Sequence, residues 1–130
     1  MAWYLPLRWL HLVAAATWLG GMITLAVVVV ALRKQGIEPD QLRAVARSFA
    51  RLSWLAMVVL IATGAAQVAL LHLPWNHPPL VWKLSAVGLT IAVAGLHQYM
   101  AGRLERRGQR VLEAAVLLTT LLAFAAAVRL

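Results

Sequence analysis

The chain has 130 residues, of which 63% are hydrophobic and only 12% charged, with a formal net charge of +8 and no cysteine. That balance is foreign to a soluble domain and ordinary for a membrane protein. The missing cysteines exclude disulfides, iron–sulfur clusters and thiolate metal sites. The basic residues sit in loops and at helix ends, so the charge points to a membrane surface and not to nucleic acid.

A run of about 20 apolar residues crosses a bilayer core. Four such runs are present, about Leu5–Leu32, Leu52–Leu73, Val81–Met100 and Val111–Val128. They predict an all-α, integral membrane four-helix transmembrane bundle forming one domain, and leave no room for a soluble module. The first run could pass for a secretory leader, with Ala14-Ala15-Ala16 as a cleavage site. Its basic head holds only Arg8, and its apolar stretch continues past Gly20-Gly21 to Leu32. It is expected to be a retained span.

The segment after the first run carries Arg33, Lys34, Arg43, Arg47 and Arg51. Pro39-Asp40 is expected to open a helix that continues into the second span, with Arg43, Arg47 and Arg51 on one face. That face reads either as an anionic-lipid or substrate contact or as a solvated membrane anchor. The segment Pro74–Leu80 has no Lys or Arg, and its two prolines are expected to stop any helix. Arg103, Arg106, Arg107 and Arg110 follow the third run. The excess of basic residues in the first and third loops places both there in the cytoplasm and both termini outside the plasma membrane. Trp3, Trp9, Trp75 and Trp82 then form an outer aromatic belt.

Polar side chains within apolar spans are costly and mark functional sites by default. The candidates are His11, Gln67, His72, Lys83 and His97. Helical rise puts His11, His72 and Lys83 at one level, and His97 about 14 Å or more away from His11. Arg8, His11, Ala15 and Trp18 share one face of the first helix. That face offers an imidazole, small residues and a flat ring, which suits a haem held by His11. His72 is the expected second axial ligand and His77 the fallback. Arg8 could pair with a propionate, and Gly64-Ala65 would supply room on the second helix. Each residue also has a plainer reading: a hydrogen bond to a neighbouring helix for His11, interfacial hydration for His72, core packing for Trp18. Lys83, Thr90 and His97 recur every seven residues on one stripe of the third span, expected to face inward. Met22, Met57 and His97 suggest a second possibility, soft ligands for copper, against Met as core filler. No paired carboxylates, nucleophilic triad or phosphate loop can be assembled, so hydrolysis and nucleotide chemistry find no support.

His11-Leu12-Val13-Ala14-Ala15-Ala16-Thr17-Trp18-Leu19-Gly20-Gly21-Met22 resembles the first span of the copper resistance protein D (CopD) family. Leu80-Val81-Trp82-Lys83-Leu84, and an apolar span ending Leu96-His97-Gln98-Tyr99-Met100-Ala101-Gly102-Arg103-Leu104, resemble its third. The same features recur in the related HemJ-type protoporphyrinogen oxidases, four-helix membrane proteins that bind haem b. There the first-span His and third-span Lys are functionally required, which the resemblance carries onto His11 and Lys83, the latter as candidate catalytic residue. Arg43, Arg47 and Thr63-Gly64 also suit the wider superfamily.

The expected function is therefore haem b-dependent electron transfer or redox chemistry in the membrane, with a quinone or quinol or another membrane redox protein as partner. The alternative is copper import or handling, with His11, His72 and His77 outside and Met22, Met57 and His97 deeper. A cofactor-free assembly subunit is a third reading. A bundle this small can form a homodimer. For the orientation, a membrane-impermeant thiol reagent added outside should label a His77→Cys variant and spare a Gly36→Cys variant. Labelling of position 36 alone would reverse the topology.

Overall fold

The computed structural model describes residues 2–100 and 106–128. Within them the chain forms α1 (Tyr4–Lys34), α2 (Pro39–Leu70), α3 (Pro78–Tyr99) and α4 (Arg106–Val128). No strand occurs among the described residues. All four helices are long and apolar enough to cross a membrane. The chain is thus an all-α, multi-pass membrane protein whose apolar surfaces contact a lipid bilayer. Gly102, Arg103 and Leu104, part of the second segment of resemblance, lie outside the described residues.

The chain divides into two compact units, Met1–Leu73 and Pro74–Leu130. The first is the α1–α2 hairpin and the second the α3–α4 hairpin. In the first, Ala14, Ala15 and Trp18 of α1 and Ala56, Met57, Thr63 and Val68 of α2 are buried. Small side chains let helix backbones approach closely where lipid supplies no hydrophobic drive. In the second, Leu80, Thr90 and Ala94 of α3 and Val116, Thr119 and Thr120 of α4 are buried. The buried hydroxyls are satisfied within their own helices: Thr63 donates to Val59 O, Thr90 to Ala86 O and Thr119 to Ala115 O. This back-bonding lets a threonine sit in a seam without water. Large apolar side chains such as Leu5, Leu12, Val58 and Leu118 point outward, as expected of a surface bathed in hydrocarbon.

The helix ends explain most departures from the expected spans. Gly36, with φ +74°, follows α1. Its N–H bonds Arg33 O, and the Ile37 N–H bonds Leu32 O. This paired closure lets one left-handed residue satisfy the last carbonyls. Arg33 and Lys34 occupy the last turn of α1, where positive charge complements the helix dipole. A side chain at Gly36 would be strained, so Gln35→Cys reports on the same loop more cleanly. As expected, α2 begins at Pro39 and runs unbroken into the second span.

That helix ends at Leu70, three residues before the expected Leu73, through the same closure. The His72 N–H bonds Ala69 O and the Leu73 N–H bonds Val68 O. Here the left-handed position, φ 51°, is occupied by His72. Pro78 and Pro79 do not bar a helix; they begin α3, at its first two positions. Proline is tolerated there because its missing N–H has no intrahelical acceptor and its fixed φ is already helical. His77 is the residue before the helix, and its carbonyl accepts from the Val81 N–H at 2.9 Å.

A left-handed non-glycine residue carries backbone strain that glycine relieves, less the extra chain entropy glycine loses. His72→Gly should therefore stabilise the first hairpin by about 0.5–1 kcal/mol. Thermal unfolding in detergent micelles measures this. A lower midpoint would mean that the imidazole makes a contact worth more than the strain.

Candidate functional site

His11 lies two turns into α1, half-buried against α2. Its Nδ1 stands 2.8 Å from Thr63 Oγ1. The same hydroxyl lies 2.7 Å from Val59 O, with Leu60 O at 3.3 Å. A carbonyl can only accept, so the single hydroxyl proton goes to Val59. The Thr63 oxygen must then accept from the ring, which puts a proton on Nδ1; in the neutral imidazole the lone pair is then on Nε2. Fixing the tautomer through the other ring nitrogen is what metal-ligating imidazoles require of their surroundings.

Gly64 completes this seat. A Cβ at position 64 would come within 3.3 Å of His11 Cε1. That is tight enough that the ring would have to shift. Thr63-Gly64 thus does two jobs in adjacent residues, one bonding the imidazole and the other clearing its edge. The room that Gly64 offers is taken by His11 itself. The distance between His11 and Thr63 along the chain, 52 residues, hides the pair from any local sequence pattern.

Ala14, Ala15 and Trp18 are buried in the first unit, and Trp18 packs edge-on against Trp54, centroids 5.9 Å apart at 72°. Trp18 is therefore an anchor of the hairpin seam and does not line a cleft within it. Trp54 was not among the expected site residues. One signal for it was available: Trp18 and Trp54 are the two tryptophans of the six that lie far from the outer belt.

The shared level of His11 and His72 is corrected. His11 stands beside Thr63 and Gly64. His72 lies eight to nine positions further along, about 12 Å by helical rise, exposed in the turn after α2. Two axial ligands must each come within about 2 Å of one iron, as metal–nitrogen bonds do. Arg8 is exposed one turn outward from His11.

In the second unit, Thr90 is buried, and Lys83 and His97 on the same stripe are half-buried. His77 precedes α3 and is also half-buried. His97 Nε2 lies 3.7 Å from Glu113 Oε1, a partner across the α3–α4 hairpin. Gln67 donates to Thr63 O at 3.3 Å, so its amide is spent on its own helix. Met57 is buried and Met22 half-buried, both in the first unit. In the register set by His11 and Thr63 they stand about 7 Å apart along the helix axis. Among the described residues no three His, Asp or Glu side chains converge on a metal position.

No family model, curated protein or solved structure matches the chain. The arrangement itself must carry the functional reading. What it offers is one intramembrane imidazole with a defined tautomer, an intramembrane lysine on a polar stripe, and a histidine–carboxylate pair.

Thr63→Val keeps the shape and removes the oxygen that accepts from Nδ1. It should destabilise the first hairpin by about 1 kcal/mol, the net worth of one hydrogen bond at a half-buried site. Thr63→Ser should recover most of that loss. Both are read from unfolding midpoints, and an unchanged Thr63→Val midpoint would show that the imidazole does not depend on this bond.

Proposed function

We propose that this chain is a haem b-binding protein that passes electrons within the membrane, with His11 as an axial ligand. The observation that supports the reading is the hydrogen bond from His11 Nδ1 to Thr63, which directs the lone pair of the neutral ring to Nε2. The haem, when bound, supplies a one-electron carrier. The protein's part is to hold the imidazole in one tautomer and orientation and to keep water from it. Since Trp18 packs against Trp54 across the α1–α2 seam, the macrocycle is not assigned to that seam. Of the first unit's histidines, the proposal commits to His11 alone. Lys83 is proposed as the functional cation of the third span, acting on the redox partner, for which a quinol suits the apolar setting. The orientation proposed with it has both termini outside the plasma membrane, from the Arg and Lys content of the loops.

Protein purified from haem-replete cells should show a Soret band that His11→Ala abolishes. His72→Ala and His97→Ala should leave the band in place, and Lys83→Met should leave it in place while lowering quinol oxidation. Thr63→Val should weaken haem binding about 10- to 100-fold, the usual effect of losing a ligand's hydrogen-bonded support. Absence of the Soret band from the native protein would overturn the reading. Copper found by metal analysis of that same preparation would turn it to metal handling.

A further inference from the structure

The two helices of the first hairpin are longer than a bilayer core, and they carry opposite chemistry over the excess. α1 and α2 have 31 and 32 residues, about 46 and 48 Å, against a core of about 30 Å. Their antiparallel register is fixed at three places: His11 beside Thr63 and Gly64, Gly21 facing Ser53, and Trp18 against Trp54. Continued toward the α1–α2 turn, that register sets Arg51 level with Ile23, Arg47 with Val27 and Arg43 with Ala31. All three arginines are exposed, as are Ile23, Val27 and Val30.

The membrane boundary can cut this hairpin in two ways. Placed at Arg33 and Lys34, it would bury Arg51 about 16 Å deep, at the bilayer midplane and beyond the reach of snorkelling. Placed at the level of Ile23 and Arg51, it leaves Leu5–Ile23 and Leu52–Leu70 to cross, each about 28 Å long and matched to the core. The second cut leaves no arginine of α2 in hydrocarbon. It sets Thr24–Leu32 and Pro39–Arg51 in the headgroup layer and beyond, with a valine face on one helix and arginines on the other. Asp40 stands 3.4 Å from Arg43. Among the described residues no carboxylate pairs with Arg47 or Arg51.

We propose that Arg47 and Arg51 bind the phosphate of anionic phospholipid at the turn end of this hairpin. A phospholipid brings its phosphate to the edge of the hydrocarbon core, the level at which the second cut sets Arg51. Guanidinium groups bind phosphate through two parallel N–H donors.

The test is lipid selectivity of the full chain in vesicles of phosphatidylcholine with phosphatidylglycerol, read by electron spin resonance of spin-labelled lipids. Wild-type protein should favour the labelled phosphatidylglycerol, and Arg47→Gln with Arg51→Gln should lose about fivefold per arginine. Arg47→Lys with Arg51→Lys should retain part of it. No selectivity in the wild type, or selectivity unchanged in the double Gln variant, would overturn the proposal. Inorganic phosphate at matched ionic strength should leave the selectivity intact; displacement by it would show a general phosphate site and overturn the commitment to lipid. A spin label on Val27→Cys should report headgroup depth by its collision rates with oxygen and an aqueous nickel chelate. A reading of core depth would refute the second cut.

Discussion

Hydrocarbon offers no hydrogen bonds, and this molecule is organised by the need to satisfy every polar atom without water. Four helices answer that need for the backbone. The side chains answer it locally: the buried threonines turn their hydroxyls onto their own helices, and Gln67 does the same with its amide. Among the described residues no buried side-chain nitrogen or oxygen lacks a partner. His11 differs in kind, as His97 does with Glu113, because its partner lies on another helix. Thr63 can serve it only because the threonine proton is already committed to Val59. The imidazole's tautomer is thus a consequence of ordinary helix back-bonding in the opposite strand of the hairpin.

Much of the fold was legible because hydropathy reads directly against membrane thickness. The four spans and the helix starting at Pro39 follow from that comparison alone. The errors arose at helix ends, where single residues decide. Pro78 and Pro79 resemble a stop when read forward from α2 and are a start when read forward from the turn. His72 resembles a polar residue of the second span, whereas its backbone performs the left-handed closure that Gly36 performs after α1. No periodicity announces such a position, since the strain sits in φ and not in the side chain.

The candidate site was legible in its parts and not in its register. His11 and the pair Thr63-Gly64 could each be picked out, the first by its isolation in an apolar run and the second by resemblance. Their meeting could not be picked out, because antiparallel helices are aligned by the turn between them, and one residue of loop shifts every cross-contact. The same uncertainty led to His11 and His72 being placed at one depth. Trp18 shows the converse problem: a large flat ring on a polar-bearing face suits a cofactor wall or a seam anchor equally, and only the location of Trp54 decides between them.

The first hairpin contains its own seam within Tyr4–Leu70: the small-residue contact, the tryptophan pair and the His11–Thr63 bond all lie there. During synthesis these contacts can close before α3 and α4 have been made. Translation at about 5–20 residues per second gives that hairpin seconds alone in the membrane, far longer than helices need to pair. A defect in its seam would thus be present before the second hairpin arrives, and cells would meet it as an early failure of membrane insertion.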